Sequence, residues 1–247
     1  MASEHTRGGK TVQPGMTTPL EAVAFDLDST LCQYELTVEE VVERAIQRAG
    51  FDEGQLGSPA ELAAAYDTAW WAAEEQLRLP TDELRRTAWG RILSARGVDE
   101  ADATRLADAY SEIRRETGMS LYDGVSRFLD DLRARYRLGI LTNGPSDMQW
   151  EKVEKLGLTA AVDAVVVAGD FGIFKPDPRP FKELLGLLDA SPPASLFVGN
   201  SYEHDIVGAR GVGMRTAWVK ADGTGECPNG APDYVVARAT DLREVLL

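Results

Sequence analysis

Apolar and polar positions fall into two regimes along the 247-residue chain. From about Thr37 to Thr117, apolar residues recur at helical spacing in Ala-, Leu-, Glu- and Arg-rich sequence. This spacing predicts helices over Val38–Ala49, Pro59–Leu77, Asp82–Ala95 and Asp99–Thr117. Pro59-Ala60-Glu61, Thr81-Asp82-Glu83 and Asp99-Glu100 supply helix starts, and Gly50, Gly97 and Gly118 supply stops. Nothing in this block reads as a strand. From Gly118 onward a strand–helix rhythm takes over. Short apolar runs at Leu138–Thr142, Ala164–Ala168, Leu196–Gly199 and Arg215–Val219, with a weaker one at Tyr234–Val236, alternate with helical stretches. Those stretches are Gly124–Tyr136, Asp147–Leu156, Arg179–Asp189 and Ile206–Gly211.

One strand precedes the helical block, in Ala22-Val23-Ala24-Phe25. It ends in Asp26-Leu27-Asp28-Ser29-Thr30, so two carboxylates at alternate positions point the same way at the strand's carboxyl end. Two acids so placed repel unless a cation or a shared proton holds them, an arrangement suited to a carboxylate nucleophile with an acid/base neighbour and a metal. The alternation of strands and helices predicts an α/β fold, a doubly wound, mainly parallel sheet with helices on both faces. Ligands bind at the carboxyl edge of such sheets. The helical block is then an insertion just beyond Asp28, placed to act as a lid. The expected organisation is a flexible tail over 1–19, an α/β core over 20–33 and 119–247, and an all-helical domain over 34–118.

Charge narrows the partners. With 26 basic against 40 acidic residues, the net charge of −14 disfavours nucleic acid and anionic membranes. Only six of the basic residues are lysines. Such an acid-rich, lysine-poor composition resembles proteins of salt-loving archaea, and equally an acidic enzyme of a GC-rich genome; it describes solvent rather than chemistry. Two cysteines, Cys32 and Cys227, argue against a disulfide framework or a zinc site. The first 19 residues have no apolar core of signal-peptide length, and no window approaches a membrane span, so a cytoplasmic monomer or homodimer is expected.

Four polar clusters follow four apolar runs in chain order. They are Asp26-Leu27-Asp28-Ser29-Thr30, Leu141-Thr142-Asn143-Gly144, Phe174-Lys175-Pro176-Asp177-Pro178, and Gly199-Asn200-Ser201-Tyr202-Glu203-His204-Asp205. Singly each is weak, since Thr-Asn-Gly is usually just a turn. In this order, from Val23 to the end of the chain, they resemble the haloacid dehalogenase-like (HAD) hydrolase superfamily with a helical cap between its first and second motifs. The resemblance implies a Mg²⁺-dependent phosphatase of a small phosphorylated metabolite. It makes Asp26 the nucleophile that forms an aspartyl-phosphate and Asp28 the acid/base, whose backbone carbonyl also ligates Mg²⁺. By the same resemblance Thr142 and Asn143 seat the phosphate, and Lys175 neutralises charge at the nucleophile.

The fourth motif departs from the family pattern, which has Gly-Asp-Ser where this chain has Gly199-Asn200-Ser201. Asparagine can ligate Mg²⁺ through its carbonyl oxygen but adds no charge. The metal set is therefore expected to be Asp26, Asp28, Asn200 and Asp205, with the division between the last two open. Haloacid dehalogenases also carry Asn in this region and need no metal, which makes a 2-haloacid dehalogenase-type hydrolase the alternative, with a non-catalytic binding protein as a third. Dehalogenases lack an acid at the position of Asp28, because a halide leaves without a proton; Asp28 therefore favours a phosphatase. Their carboxylate-binding cap arginine has Arg44 as its nearest counterpart, in a helix where a surface role is expected. His204 is expected to be exposed. Tyr66, Trp70, Trp71 and Trp89 are expected in the packing of the helical block rather than at a substrate face.

Overall fold

A computed structural model of the chain describes residues 18–52, 56–220 and 230–247, without the side chains of 74–77. Most of the expected tail, and the turn containing Cys227, lie outside the described residues. Strand β1 (Ala22–Phe25) is buried on both faces, which is why its sequence is continuously apolar rather than alternating. It lies at the centre of a parallel sheet with β4 (Arg137–Thr142), β5 (Ala164–Val167), β6 (Ser195–Gly199), β7 (Arg215–Val219) and β8 (Tyr234–Val236). The order is β5-β4-β1-β6-β7-β8, so the chain winds outward from β1 first one way and then the other. Phe25 pairs with Ile140 on one side and Val198 on the other, which brings the ends of β1, β4 and β6 to one edge. The crevice at this reversal is the sheet's natural ligand site.

One face of the sheet packs Phe25, Leu138 and Leu196 against Phe128, Leu129 and Leu132 of α5 (Val125–Arg133) and against Val153 of α6 (Ser146–Lys155). The other packs Ala24, Leu141 and Phe197 beneath Phe181, Leu184 and Leu188 of α8 (Pro178–Leu187) and the residue following it. A short α7 (Leu158–Ala161) leads into β5.

Between β1 and β4 lie α1 (Val38–Ala49), α2 (Pro59–Leu77), α3 (Thr81–Ser94) and α4 (Glu100–Glu116), close to their expected bounds. Helix α1 begins where Thr37 and Glu40 cap each other's backbone N–H groups and ends at Gly50, whose φ of +72° suits a residue without Cβ. These helices have their own core, in which the Tyr66 ring stacks 4.9 Å from Trp89 and 4.7 Å from Tyr110. Trp89 is a core-packing residue as expected, but Tyr66, Trp70 and Trp71 also line the cavity that faces the sheet, and Trp71 is 41% exposed.

A short antiparallel ribbon, β2 (Cys32–Tyr34) with β3 (Met119–Leu121), forms the double stalk of this helical block. Three-residue strands carry too few positions to show a period, so the sequence pattern did not reveal them. The expected helix over Ile206–Gly211 also differs: a π-helical turn, Tyr202–Val207, precedes α9 (Gly208–Gly211). Contacts on both sides of the cavity tie the helical block to the sheet domain. Asp147 accepts hydrogen bonds from the Thr81 hydroxyl at 2.7 Å and its backbone N–H at 3.1 Å, so a carboxylate of α6 caps α3, whose own Pro80 offers no side-chain cap. Opposite, Trp71 stacks on His204 with ring centroids 6.2 Å apart.

Candidate active site

The backbone turns sharply after β1. The Asp26 N–H donates to the Val198 carbonyl, extending the sheet by one residue, and the Leu31 N–H then folds back to Leu27 O. Ser29 takes a φ of +60°, a left-handed conformation uncommon outside glycine. This turn presents Asp26, Asp28 and Ser29 to a cavity of about 480 Å³ between the sheet's carboxyl edge and the helical block.

Asp26 sits in a buried charge cluster. Lys175 Nζ donates to Asp26 Oδ1 and to Asp205 Oδ1, each at 2.7 Å, and to the Leu141 carbonyl at 3.0 Å. Burial pushes the Asp26 carboxyl up to about 7, with Lys175 pulling it down and Asp205 pushing it further up. Burial also works against the Lys175 charge, but Asp205 and Asp26 more than offset this and hold its pKa above the ordinary value. Asparagine 143 fixes the lysine's backbone: its Oδ1 accepts from Lys175 N at 2.8 Å and its Nδ2 donates to Lys175 O at 3.1 Å. The Thr142 hydroxyl, almost fully buried, donates to the Asn143 carbonyl at 3.2 Å. Of the expected site residues, Thr142 alone does not wall the cavity.

The Thr30 hydroxyl lies 3.1 Å from Asp26 Oδ2 and 3.4 Å from Asn200 Oδ1, so those two oxygens converge on one point. Trp218 of β7 holds the loop by donating to the Asn200 carbonyl at 2.9 Å. Both oxygens of Asp205 are engaged, one by Lys175 and the other by the Ser201 N–H at 2.8 Å. The Asp26 carboxylate and the Asn200 amide oxygen are donors of the kind a hard cation takes. Among the described residues no group of three or more His, Cys, Asp or Glu side chains is placed to hold a metal.

Two residues that sequence reasoning missed hold Asp28. Lys152 Nζ donates to both of its carboxylate oxygens at 2.8 Å, and Gln149 Nε2 reaches Oδ2 at 3.0 Å. Both sit on α6, three residues apart on one face, and both are buried. Burial opposes the Lys152 charge, but Asp28 and the Tyr34 ring region hold its pKa above the usual value. A signal was present: Gln149, Lys152, Val153 and Leu156 form the inward stripe of a helix, where Gln and Lys have no packing reason to be. The motif glycines make room for these groups. A Cβ on Gly144, whose φ is +128°, would meet Gln149 Nε2 at 2.3 Å, and one on Gly199 would meet Asp205 Oδ2 at 2.3 Å. Cys32 is buried and its thiol is pushed up to about 12, mainly by burial, so it is inert here.

The haloacid dehalogenase-like hydrolase family model matches residues 20–213. This chain belongs to that family. It is 36% identical to a phosphoserine phosphatase of Thermus thermophilus, over 92% of this chain and 98% of that protein. Its fold matches the magnesium-bound HAD-hydrolase YfnB of Bacillus subtilis with a TM-score of 0.69 at 25% identity, covering 93% of this chain and 99% of that one. It also matches a 2-haloacid dehalogenase of Pseudomonas syringae, with a TM-score of 0.60 at 28% identity over 92% and 98% of the two chains. The chain is therefore a HAD-like hydrolase with the Rossmann-like core and helical cap of that family. Among the described residues no helix is long and apolar enough to cross a membrane.

If Lys152 and Gln149 serve to aim Asp28, Lys152→Met should lower kcat by ~10² with little change in KM, the cost of misplacing that carboxylate. Steady-state kinetics on wild type and variant check this; equal losses through KM alone would contradict it.

Proposed function

We propose that this HAD-like hydrolase is a Mg²⁺-dependent phosphomonoesterase of a small phosphorylated metabolite. The observation that carries this reading is the second carboxylate. Asp28 faces the cavity beside Asp26, is 40% exposed at its side chain, and has its orientation fixed by Lys152 and Gln149. A leaving alkoxide needs such a proton donor, whereas a leaving halide does not. The similarity to the Thermus thermophilus phosphoserine phosphatase supports the same reading. Arg44, the counterpart sought for a dehalogenase arginine, is exposed in a separate groove with Glu35 and Gln47.

In this mechanism Asp26 Oδ attacks phosphorus and the P–O bond to the alcohol breaks, giving an aspartyl-phosphate. Asp28, whose two oxygens accept from Lys152 here, has to take up a proton before this step and then gives it to the departing oxygen. The same carboxylate, now a base, takes a proton from the water that attacks the intermediate and releases phosphate. Lys175 remains beside Asp26 throughout and offsets the charge gathered there. Asn143 seats the phosphate with one edge of the motif while holding Lys175, and Thr142 supports that turn from beneath. Asp26, the Asp28 backbone carbonyl and Asn200 would hold Mg²⁺, which supplies positive charge to the transferring phosphoryl group. Asp205, with both oxygens engaged, orients Lys175 and the loop rather than ligating directly. Residues 20–33 and 119–247 would serve as the catalytic core and 34–118 as the cap.

The test is phosphate release from a panel of phosphorylated metabolites with and without Mg²⁺, in dilute and concentrated KCl. Metal-dependent turnover is expected; halide release from 2-haloacids without metal would replace this reading with the dehalogenase one. Independently of turnover, millimolar Mg²⁺ should raise the melting temperature of the wild type, by about 2.7 kcal/mol of stabilisation at a hundredfold excess over its Kd. The shift should be absent in Asp26→Ala.

A further inference from the structure

The cavity over Asp26 opens into a second chamber of about 430 Å³ between α3, α4 and α6. Tyr34, Arg85, Arg114, Met148 and Lys152 line both chambers and form the throat between them. Three cations at one throat are unexpected in a chain of net charge −14. Lys152 is committed to Asp28, whereas Arg85 only shares a carboxylate with Arg115.

Arg85 is only 7% exposed, and its Nε has no hydrogen-bond partner among the described residues. A terminal nitrogen reaches Asp82 at 3.3 Å, but that carboxylate already takes Arg115 at 2.9 Å. A buried N–H without an acceptor is destabilising, and such groups persist where a ligand supplies the acceptor. Beside it the Arg114 guanidinium stacks over the Tyr34 ring at 4.8 Å and lies 5.5 Å from the Tyr110 centroid. Its Nε donates to the Tyr110 hydroxyl and one terminal nitrogen to the Leu36 carbonyl, both at 3.2 Å. Among the described residues no carboxylate lies within ion-pair reach of Arg114. Arg114 is thus held by rings and backbone rather than neutralised, while Arg85 shares Asp82 with Arg115 and keeps its Nε open; their planar forks match a planar anion.

We propose that Arg85 and Arg114 form a subsite for a carboxylate on the substrate, at the end remote from the scissile phosphate. This rests on the phosphatase reading and narrows it: the substrate is a small phosphoester of a carboxylic acid.

The experiment compares kcat/KM for esters that differ by a carboxylate: O-phosphoserine against O-phosphoethanolamine, and 3-phosphoglycerate against glycerol 3-phosphate. The wild type should favour the acid of each pair by at least about tenfold. Arg85→Gln and Arg114→Gln should each reduce that ratio by about tenfold to a hundredfold, the loss expected for one charge-assisted hydrogen bond. Arg44→Gln, in its separate groove, should leave the ratio at the wild-type value. A wild-type ratio near one, a ratio unchanged in both arginine variants, or a preference for a bisphosphate over these acids overturns the proposal. If no ester releases phosphate, the phosphatase reading fails separately. The subsite is then read from melting temperature with glycerate: a rise in the wild type that Arg85→Gln abolishes supports it, and no rise in the wild type overturns it.

Discussion

Replacing Asp26 by asparagine is expected to lower phosphate release by at least about four orders of magnitude while leaving the fold intact. The substitution removes the attacking oxygen's charge and basicity but keeps an acceptor of the same shape. Lys175 would still have Asp205 at 2.7 Å and the Leu141 carbonyl at 3.0 Å, so its charge stays paired. Asp26 is itself a desolvated carboxyl raised to about 7, so neutralising it relieves an unfavourable burial and should change stability little. Phosphate-release assays with a chromogenic ester, beside thermal melts of both proteins, separate the two effects. Residual turnover within tenfold of wild type would remove Asp26 from the chemistry. The raised pKa also sets a direction for the wild type. In the proposed mechanism Asp26 attacks only when deprotonated, so activity should fall as pH drops through its value, and a bound cation should shift that limb to lower pH.

The second large effect is expected from Lys175→Met, and it is structural as well as catalytic. The lysine is the shared partner of Asp26 and Asp205, which are 7% and 1% exposed. Methionine fills the volume but leaves two buried carboxyls facing each other without a cation. Breaking a buried pair in this way costs about 3–5 kcal/mol, a large share of the 5–15 kcal/mol of a typical domain. The sign with pH follows from the raised carboxyl. A folded-state acid whose pKa lies above its unfolded value opposes folding at neutral pH and stops doing so once it is protonated. The deficit of the variant should therefore shrink between pH 7 and pH 5. Denaturant midpoints at the two pH values measure it, and a loss below 1 kcal/mol at pH 7 would mean that Lys175 does not neutralise the pair.

The local sequence of this protein determines its element types and the positions of its motifs. Fully buried parallel strands require continuous apolar runs, and α1 through α4 carry helical spacing with caps such as Thr37 and Gly50, so both regimes are visible residue by residue. Strand ends bearing Asp26, Thr142 and Asn200 were visible for the same reason, and the sheet order gathers them at one edge. Pairings between distant residues were not legible. That Asn143 grips the Lys175 backbone, that Asp205 is consumed by Lys175 and Ser201, and that Gln149 and Lys152 of α6 aim Asp28 all depend on contacts between residues 4 to 124 positions apart. The ribbon of β2 and β3 was hidden because each strand is stabilised by the other and by nothing periodic within itself. The throat arginines look in sequence like any others on amphipathic helices. Only the packing of Tyr34 and Tyr110 around them, and the absence of an acceptor for Arg85 Nε among the described residues, distinguishes them from a solvated surface. Periodicity and strand-end chemistry are local properties that a chain carries along its length, whereas burial and partner identity are created only when distant segments meet.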